Sequence, residues 1–240
     1  MRDDDTRLGR RVPGWVPPPM PGPPLLEGRF ARLRRLEAGA HAAALFRANG
    51  EDAAMWDYMP YGPFADVAEY ADWMRRDASG SDPFFYAIED RASGAPGGVA
   101  SFLRISPAAG SIEVGHIALS AGLRRTPAAT EAMFLMMAWA FGAGYRRYEW
   151  KCNALNLASR RAAQRLGFSF EGVFRQAAVV KGRNRDTAWF AVTDSDWPAL
   201  AAAFETWCGP ENFDPDGRQR RALGELTAPV RVASDPALGA

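Results

Sequence analysis

The sequence predicts an α/β protein: a mixed sheet of about seven strands with helices on its faces. Three observations carry this. Seven short stretches are rich in β-branched, aromatic and alternating apolar residues. Longer stretches with helical spacing fall between them. Gly- and Pro-containing turns punctuate the boundaries. Of the 240 residues, 48% are hydrophobic, enough to bury a sizeable core.

The elements follow in order. "GRFARLRRLE" (28–37) alternates Phe30, Leu33 and Leu36 with arginines and reads as a strand. "HAAALFRAN" (41–49) reads as a helix stopped at Asn49–Gly50, and "ADVAEYADWMRRDA" (65–78) as a second helix with Asp66 near its start. "FFYAIED" (84–90) and "GGVASFLRI" (97–105) are strands around the turn "RASGAPGG", and "SIEVGHIALS" (111–120) is the next strand. A helix then runs to about Gly142–Gly144, with "MFLMMAWAF" (133–141) as its core stripe. "YRRYEWKC" (145–152) is a strand and "NLASRRAAQRLG" (156–167) a helix with Asn156 at its cap. "FSFEGVFRQAAVV" (168–180) and "DTAWFAVTD" (186–194) flank "KGRNR" as a hairpin. The folded unit is residues 26–208. Residues 1–25 form a proline-rich tail or wrapping arm, and 209–240, lacking periodicity, read as a flexible tail.

Bulk properties exclude several classes. A formal net charge of +1 gives no reason to expect a nucleic-acid partner, and Arg29, Arg32, Arg34 and Arg35 supply only part of a basic face. Cys152 and Cys208 lack metal-site spacing, so no disulfide framework and no metal is expected. No apolar run is long enough for a membrane span, and the Arg pair near the start has no apolar segment after it. The expectation is a cytoplasmic protein.

"LRRTPAATEAM" (123–133) joins a strand to a helix. Thr126 suits the N-cap and Pro127 the first helical position. Ala128 and Ala129 have little side chain to block an anion, and Arg124 and Arg125 add charge. A helix mouth of this kind can hold phosphate; it can equally be a well-capped helix that binds nothing. The P-loop ending and the dinucleotide glycines are both missing.

The pattern from Arg124 to Ala129 resembles the acyl-CoA pyrophosphate loop of the GNAT N-acetyltransferases. "NALNLASRRAAQRLGFSFEGVFRQ" (153–176) resembles the Asn-x-x-Ser and Leu-Gly-Phe segment of their ribosomal-protein N-terminal acetyltransferase branch, and "WDYMPYGPF" (56–64) its early substrate-side loop. Together these cover about residues 26–197. The resemblance implies the GNAT fold, with a mostly antiparallel sheet, and acetyl-CoA as acyl donor. It places the cofactor against Ile117 and Leu119 and against the loop N–H groups of Arg124, Arg125, Thr126, Ala128, Ala129 and Thr130. Asn156 would hold the pantetheine arm, or only cap its helix, and Trp56, Tyr58 and Tyr61 would wall the substrate, or only pack under the first helices. Pro127 stands where the family usually has glycine and removes one donor.

Acyl transfer to an amine needs a base, a donor for the carbonyl oxygen and a proton for the thiolate. Glu113, among apolar neighbours on its strand, is the candidate base. Simple alternation puts Ile112, Val114, His116 and Ala118 on one face and Glu113 on the other with Gly115, Ile117 and Leu119. The competing reading of Glu113 is a surface carboxylate or one paired with an arginine. His116 is the second candidate base, or a core histidine. Ser159 is a candidate proton donor to the thiolate, or simply part of the helix cap. Cys152 as an acyl carrier competes with a buried, inert thiol. The arginines 160, 161 and 165 either meet the cofactor or solvate an outer face.

The expected function is transfer of the acetyl group of acetyl-CoA to a primary amine, a protein N-terminus or a small molecule, by direct attack in a ternary complex. The alternative is an inactive CoA-binding sensor or scaffold, for which Pro127 speaks. An unpaired strand or the 56–64 loop is the candidate surface for a homodimer.

Overall fold

The computed structural model describes residues 8–50 and 52–239. One sheet of eight strands runs through it: β1 Leu25–Glu27, β2 Ala31–Arg35, β3 Phe84–Asp90, β4 Ala95–Ser106, β5 Ser111–Leu119, β6 Arg147–Asn153, β7 Ser169–Val180 and β8 Arg183–Thr193. Their spatial order is β1-β2-β3-β4-β5-β6-β8-β7. Neighbours are antiparallel except β5 and β6. That parallel pair requires a crossover, supplied by helix α3 (Pro127–Gly142). The fold is thus the mixed, mostly antiparallel sheet expected, with eight strands instead of seven.

Helices cover both faces. On one lie α1 (Ala38–Asn49) and α2 (Val67–Asp77), with Leu45, Tyr70, Trp73 and Met74 packed against Phe85 and Ala87. On the other lie α3, α4 (Leu157–Arg165) and α5 (Trp197–Cys208), with Met136, Met137 and Phe204 against Tyr148, Phe168 and Phe190. Asp66 caps α2 by accepting from the Glu69 N–H at 2.8 Å.

The additional strand, β1, is held by one carboxylate. Glu131 on α3 is buried and accepts the N–H groups of Arg29 at 2.9 Å, Phe30 at 2.6 Å and Ala31 at 2.7 Å, which fixes the β1–β2 turn. Gly28 is required there, because a Cβ would fall 2.4 Å from the Glu131 carboxyl carbon.

The flanking segments fold back on the domain. The proline-rich arm wraps it: Tyr145 donates to the Pro19 carbonyl and Tyr86 to that of Pro23, each at 2.9 Å. Residues 1–7 of the expected arm lie outside the described residues. The C-terminal segment, expected to be a flexible tail, is packed. Helix α5 precedes it, and the short helix α6 (Leu223–Thr227) buries Leu223 completely. Ala233 accepts from the Phe170 N–H, and the buried Asp235 carboxylate takes two hydrogen bonds from buried Arg160 at 2.6 and 2.5 Å. Arg160 therefore serves neither the cofactor nor an outer face; it anchors the C-terminal segment to α4.

Candidate active site

Two irregularities in β5 create the site. The first is a splay. β5 and β6 pair only from Ser111–Arg147 to Val114–Trp150, yet β5 continues to Leu119 and β6 to Asn153. Beyond Val114 the strands part and leave a wedge with unpaired edges. The second is a bulge. Gly115 pairs with Ser101 and Ala118 with Val99, so His116 and Ile117 together face Ala100 alone. His116 takes up the strain at φ +51°.

The bulge corrects the expected alternation. Ile112 and Val114 pack on the α3 face, but after the bulge Ile117 and Leu119 take that face and Ala118 moves to the α1–α2 face. His116 stacks on Tyr61 (centroids 5.5 Å apart) and lies beside Phe85, residues of the α1–α2 side. Glu113 shares that side, because it pairs with Leu103 two places from the Ser101–Gly115 pair, whose row continues to Phe85. Glu113 and His116 thus look onto the same face, not opposite ones.

Glu113 is 2% exposed. Arg104 donates to its Oε1 at 2.6 Å and Lys151 Nζ lies 3.0 Å from Oε2. Burial pushes its carboxyl above the usual range, and Arg104 and then Lys151 pull it back only in part. Lys151 also meets Glu149 at 2.7 Å, and Glu149 meets Arg147 at 2.6 Å, so alternating charges run across the sheet. Arg104 and Lys151 were not among the residues expected from the sequence. The alternation of Arg147, Glu149 and Lys151 in "YRRYEWKC" was the available signal.

His116 Nδ1 lies 3.1 Å from the Tyr61 hydroxyl. Burial, then Arg104 and Arg185, lowers the imidazole to about 4, so it is neutral near pH 7. Burial raises the Tyr61 phenol well above its ordinary value, so Tyr61 remains a donor. With Tyr61 donating, Nδ1 is the acceptor and the ring proton sits on Nε2. Pro60, Tyr61, Trp73, Asp77, Pro83 and Phe85 enclose with His116 a cavity of about 230 Å³. Trp56, by contrast, is a buried packing residue against Phe64 and Tyr70. Tyr58 is exposed and donates to the Leu155 carbonyl at 3.4 Å. Lys181 ties the whole loop to the β7–β8 hairpin through the carbonyls of Trp56 and Gly62, at 2.9 and 2.7 Å.

At the far end of the wedge, Thr126 caps α3, accepting from the Ala129 N–H at 3.2 Å. The N–H groups of Arg124, Thr126 and Thr130 are used within the turn, by Ser120, Leu123 and Thr126 carbonyls. Those of Gly122, Arg125 and Ala128 have no partner among the described residues. Arg125 sits at φ +64°. The Arg124 guanidinium is drawn to the Leu119 carbonyl and to Asp52 at 2.7 Å. Three free donors and an adjacent cation at a helix N-terminus fit an anion. Arg165 reaches Thr130 Oγ1 at 3.1 Å and so turns toward this helix.

On the other wall, Asn156 caps α4 by accepting from the Ser159 N–H at 3.0 Å, which leaves its Nδ2 without a partner among the described residues. Ser159 Oγ accepts from the Trp150 indole at 3.0 Å. Cys152 is buried, and burial raises its thiol. Among the described residues no helix is long and apolar enough to cross a membrane, and no group of three His, Cys, Asp or Glu could hold a metal.

The family model for the acetyltransferase (GNAT) domain matches residues 31–169. A crystal structure of a GCN5-related N-acetyltransferase from Brucella melitensis is 46% identical, with a TM-score of 0.87 over 90% of this chain and 100% of that one. A probable GNAT acetyltransferase from Chromobacterium violaceum is 41% identical, with a TM-score of 0.75 over 79% and 96%. The ribosomal L7/L12 α-N-protein acetyltransferase RimL shares the fold at 21% identity, with a TM-score of 0.60 over 75% and 99%. No curated protein matches the chain. The chain belongs to the GNAT acetyltransferase family.

Proposed function

We propose that the protein transfers the acetyl group of acetyl-CoA to a primary amine by direct attack in a ternary complex. The carrying observation is the wedge between β5 and β6 ending at a helix mouth with unused N–H donors. Gly122, Arg125 and Ala128 would hold the pyrophosphate through those donors. Pro127 lacks the N–H that its position would add, but the three donors beside it remain, so the loop keeps an anion-binding set. Ile117 and Leu119 would line the pantetheine arm, and Asn156 would hold it through Nδ2. Bound acetyl-CoA supplies an activated acetyl thioester.

Glu113 is the proton acceptor for the amine. It is buried, burial raises its carboxyl above the usual range, and it lies on the same face as His116. With the Tyr61 hydroxyl donating to Nδ1, His116 would carry its proton on Nε2 and act as a donor rather than as the base. Ser159, whose oxygen accepts from Trp150 and which lies beside Cys152, would supply its proton to the departing thiolate. The resemblance of residues 153–176 to the ribosomal-protein branch supports a protein N-terminus as acceptor; a small amine remains the other candidate.

The test is calorimetric titration of acetyl-CoA into wild type and Thr126→Asp. Aspartate caps a helix as well as threonine does, so the fold is kept while an anion is placed at the mouth. Binding by the wild type and loss in the variant is the expected result. Equal binding by both would move the phosphate site elsewhere. Absence of binding in the folded wild type would refute the function.

A further inference from the structure

Strand β8 carries two buried donors that have no acceptor. Lys151 pairs with Trp189 and Asn153 with Thr187, and the two-residue period puts Arg185 in the same row. Lys151 Nζ sits 3.8 Å over the Trp189 ring, which identifies this row with the Glu113 side of the sheet. The indole N–H of Trp189 and the Nε of Arg185 are both buried and without a hydrogen-bond partner among the described residues. A desolvated donor with no acceptor is costly, more so when it carries charge, and such groups persist where function requires them.

The charges around β6 and the β7–β8 hairpin on this side do not balance. Arg104, Arg147, Lys151 and Arg185 stand against Glu113, Glu149 and Glu171, which is four cations to three carboxylates. The three acids are engaged by the first three cations, and Arg185 makes no ion pair among the described residues. The adjoining hairpin adds Arg175, Lys181 and Arg183 with one acid, Asp186, whose Oδ1 already accepts from Gln176 and Asn184. Burial, then the neighbouring Arg104, lowers the proton affinity of Arg185, and Cys152 and Glu113 offset this only in part.

We propose that Arg185, with Arg104 beside it, binds a carboxylate on the acceptor, so that the substrate is a primary amine that also carries a carboxylate. This rests on the acetyltransferase reading of the wedge. The phosphates of acetyl-CoA are not the anion concerned. The α3 mouth assigned to them belongs to a helix packed on the Tyr148–Trp150–Phe190 face, and Arg185 belongs to the opposite row. The carboxylate belongs either to a free amino acid or to an acidic side chain close behind a peptide N-terminus.

Product binding tests this without requiring turnover. N-acetyl amino acids and their primary amides are titrated calorimetrically into the CoA-loaded protein. N-acetyl dipeptide amides with Glu or Gln in second place form the other arm. In one arm the carboxylate member should bind about 10–100-fold more tightly, the range of a charge-assisted hydrogen bond; which arm does so identifies the source. Arg185→Gln should bring the ratio to about 1, leave the acetyl-CoA Kd unchanged, and melt at or above the wild-type temperature, because a desolvated unpaired cation is gone. Equal binding within every pair, no binding in either arm, or a ratio that survives Arg185→Gln overturns the proposal. So does weakened acetyl-CoA binding or a lowered melting temperature in Arg185→Gln, which would make Arg185 a cofactor ligand or a structural residue. Failure of acetyl-CoA to bind the wild type would sink the underlying function, and the initial CoA titration detects that separately.

Discussion

Replacing Glu131 with glutamine tests how β1 is held. The carboxylate accepts three backbone N–H groups: two on Oε2, from Phe30 and Ala31, and one on Oε1, from Arg29. A glutamine placing its oxygen at the Oε2 position keeps two of them as neutral bonds, each about half as strong. Its amide nitrogen then faces the Arg29 N–H, leaving one donor unpaired at about 1–3 kcal/mol. Relief of the buried charge's desolvation offsets part of this. The net is about 2–3 kcal/mol, and for a domain of this size each kcal/mol corresponds to about 2–4 °C. Tm should therefore fall by about 5–10 °C in calorimetry at a fixed scan rate. Hydrogen exchange at Phe30 and Ala31 should rise more than at the α3 core. A Tm within about 2 °C of wild type, with those amides still protected, would refute the claim that this carboxylate holds the turn.

Asp235→Ala leaves Arg160 buried without its acid and should destabilise by about 3–5 kcal/mol in thermal unfolding; a loss under 1 kcal/mol would mean the C-terminal segment is not anchored there. Glu113→Gln should lower kcat by about 10²–10⁴-fold. A base works when deprotonated, so wild-type activity should be present above the Glu113 pKa and fall as pH drops through it, with the acid limb of kcat/KM above the ordinary carboxylate range. A limb near 4 that disappears in His116→Gln would assign the role to His116 instead. Cys152→Ala should retain kcat within a few-fold, and the buried thiol should resist alkylation in the native protein; a trapped acyl-cysteine would contradict direct attack.

Much of the sheet was legible because its strands carry their own periodicity and their turns carry Gly and Pro. The bulge at His116–Ile117 was not. An inserted residue leaves the local apolar pattern plausible, and only the partner strand reveals that two residues face one. That single unread feature put His116 on the wrong face. The Thr126 and Asn156 caps were legible because capping is local. The loop donors were not, since which N–H groups stay free depends on how the turn consumes the others. Arg104 as a partner of Glu113, and Asp235 as partner of Arg160, are tertiary pairings without local signal; Lys151 showed itself only as the last member of the alternating charges on its strand. Helix α5 did have one, with Pro198 near its start and Gly209 past its end, but its alanine-rich middle gave little amphipathic pattern.

The Arg160–Asp235 pair has a consequence in time. The two residues lie 75 positions apart, with Asp235 near the C-terminus. At about 5–20 residues per second, roughly 4–15 s of synthesis separate the arginine from its counter-ion. During that interval α4, which carries Asn156 and Ser159, has a cation without its acid, so this wall of the wedge settles only after Asp235 has been made. A nascent chain halted before Asp235 would leave Arg160 without its acid, so the order of synthesis ties the C-terminal segment to the helix that carries Asn156 and Ser159.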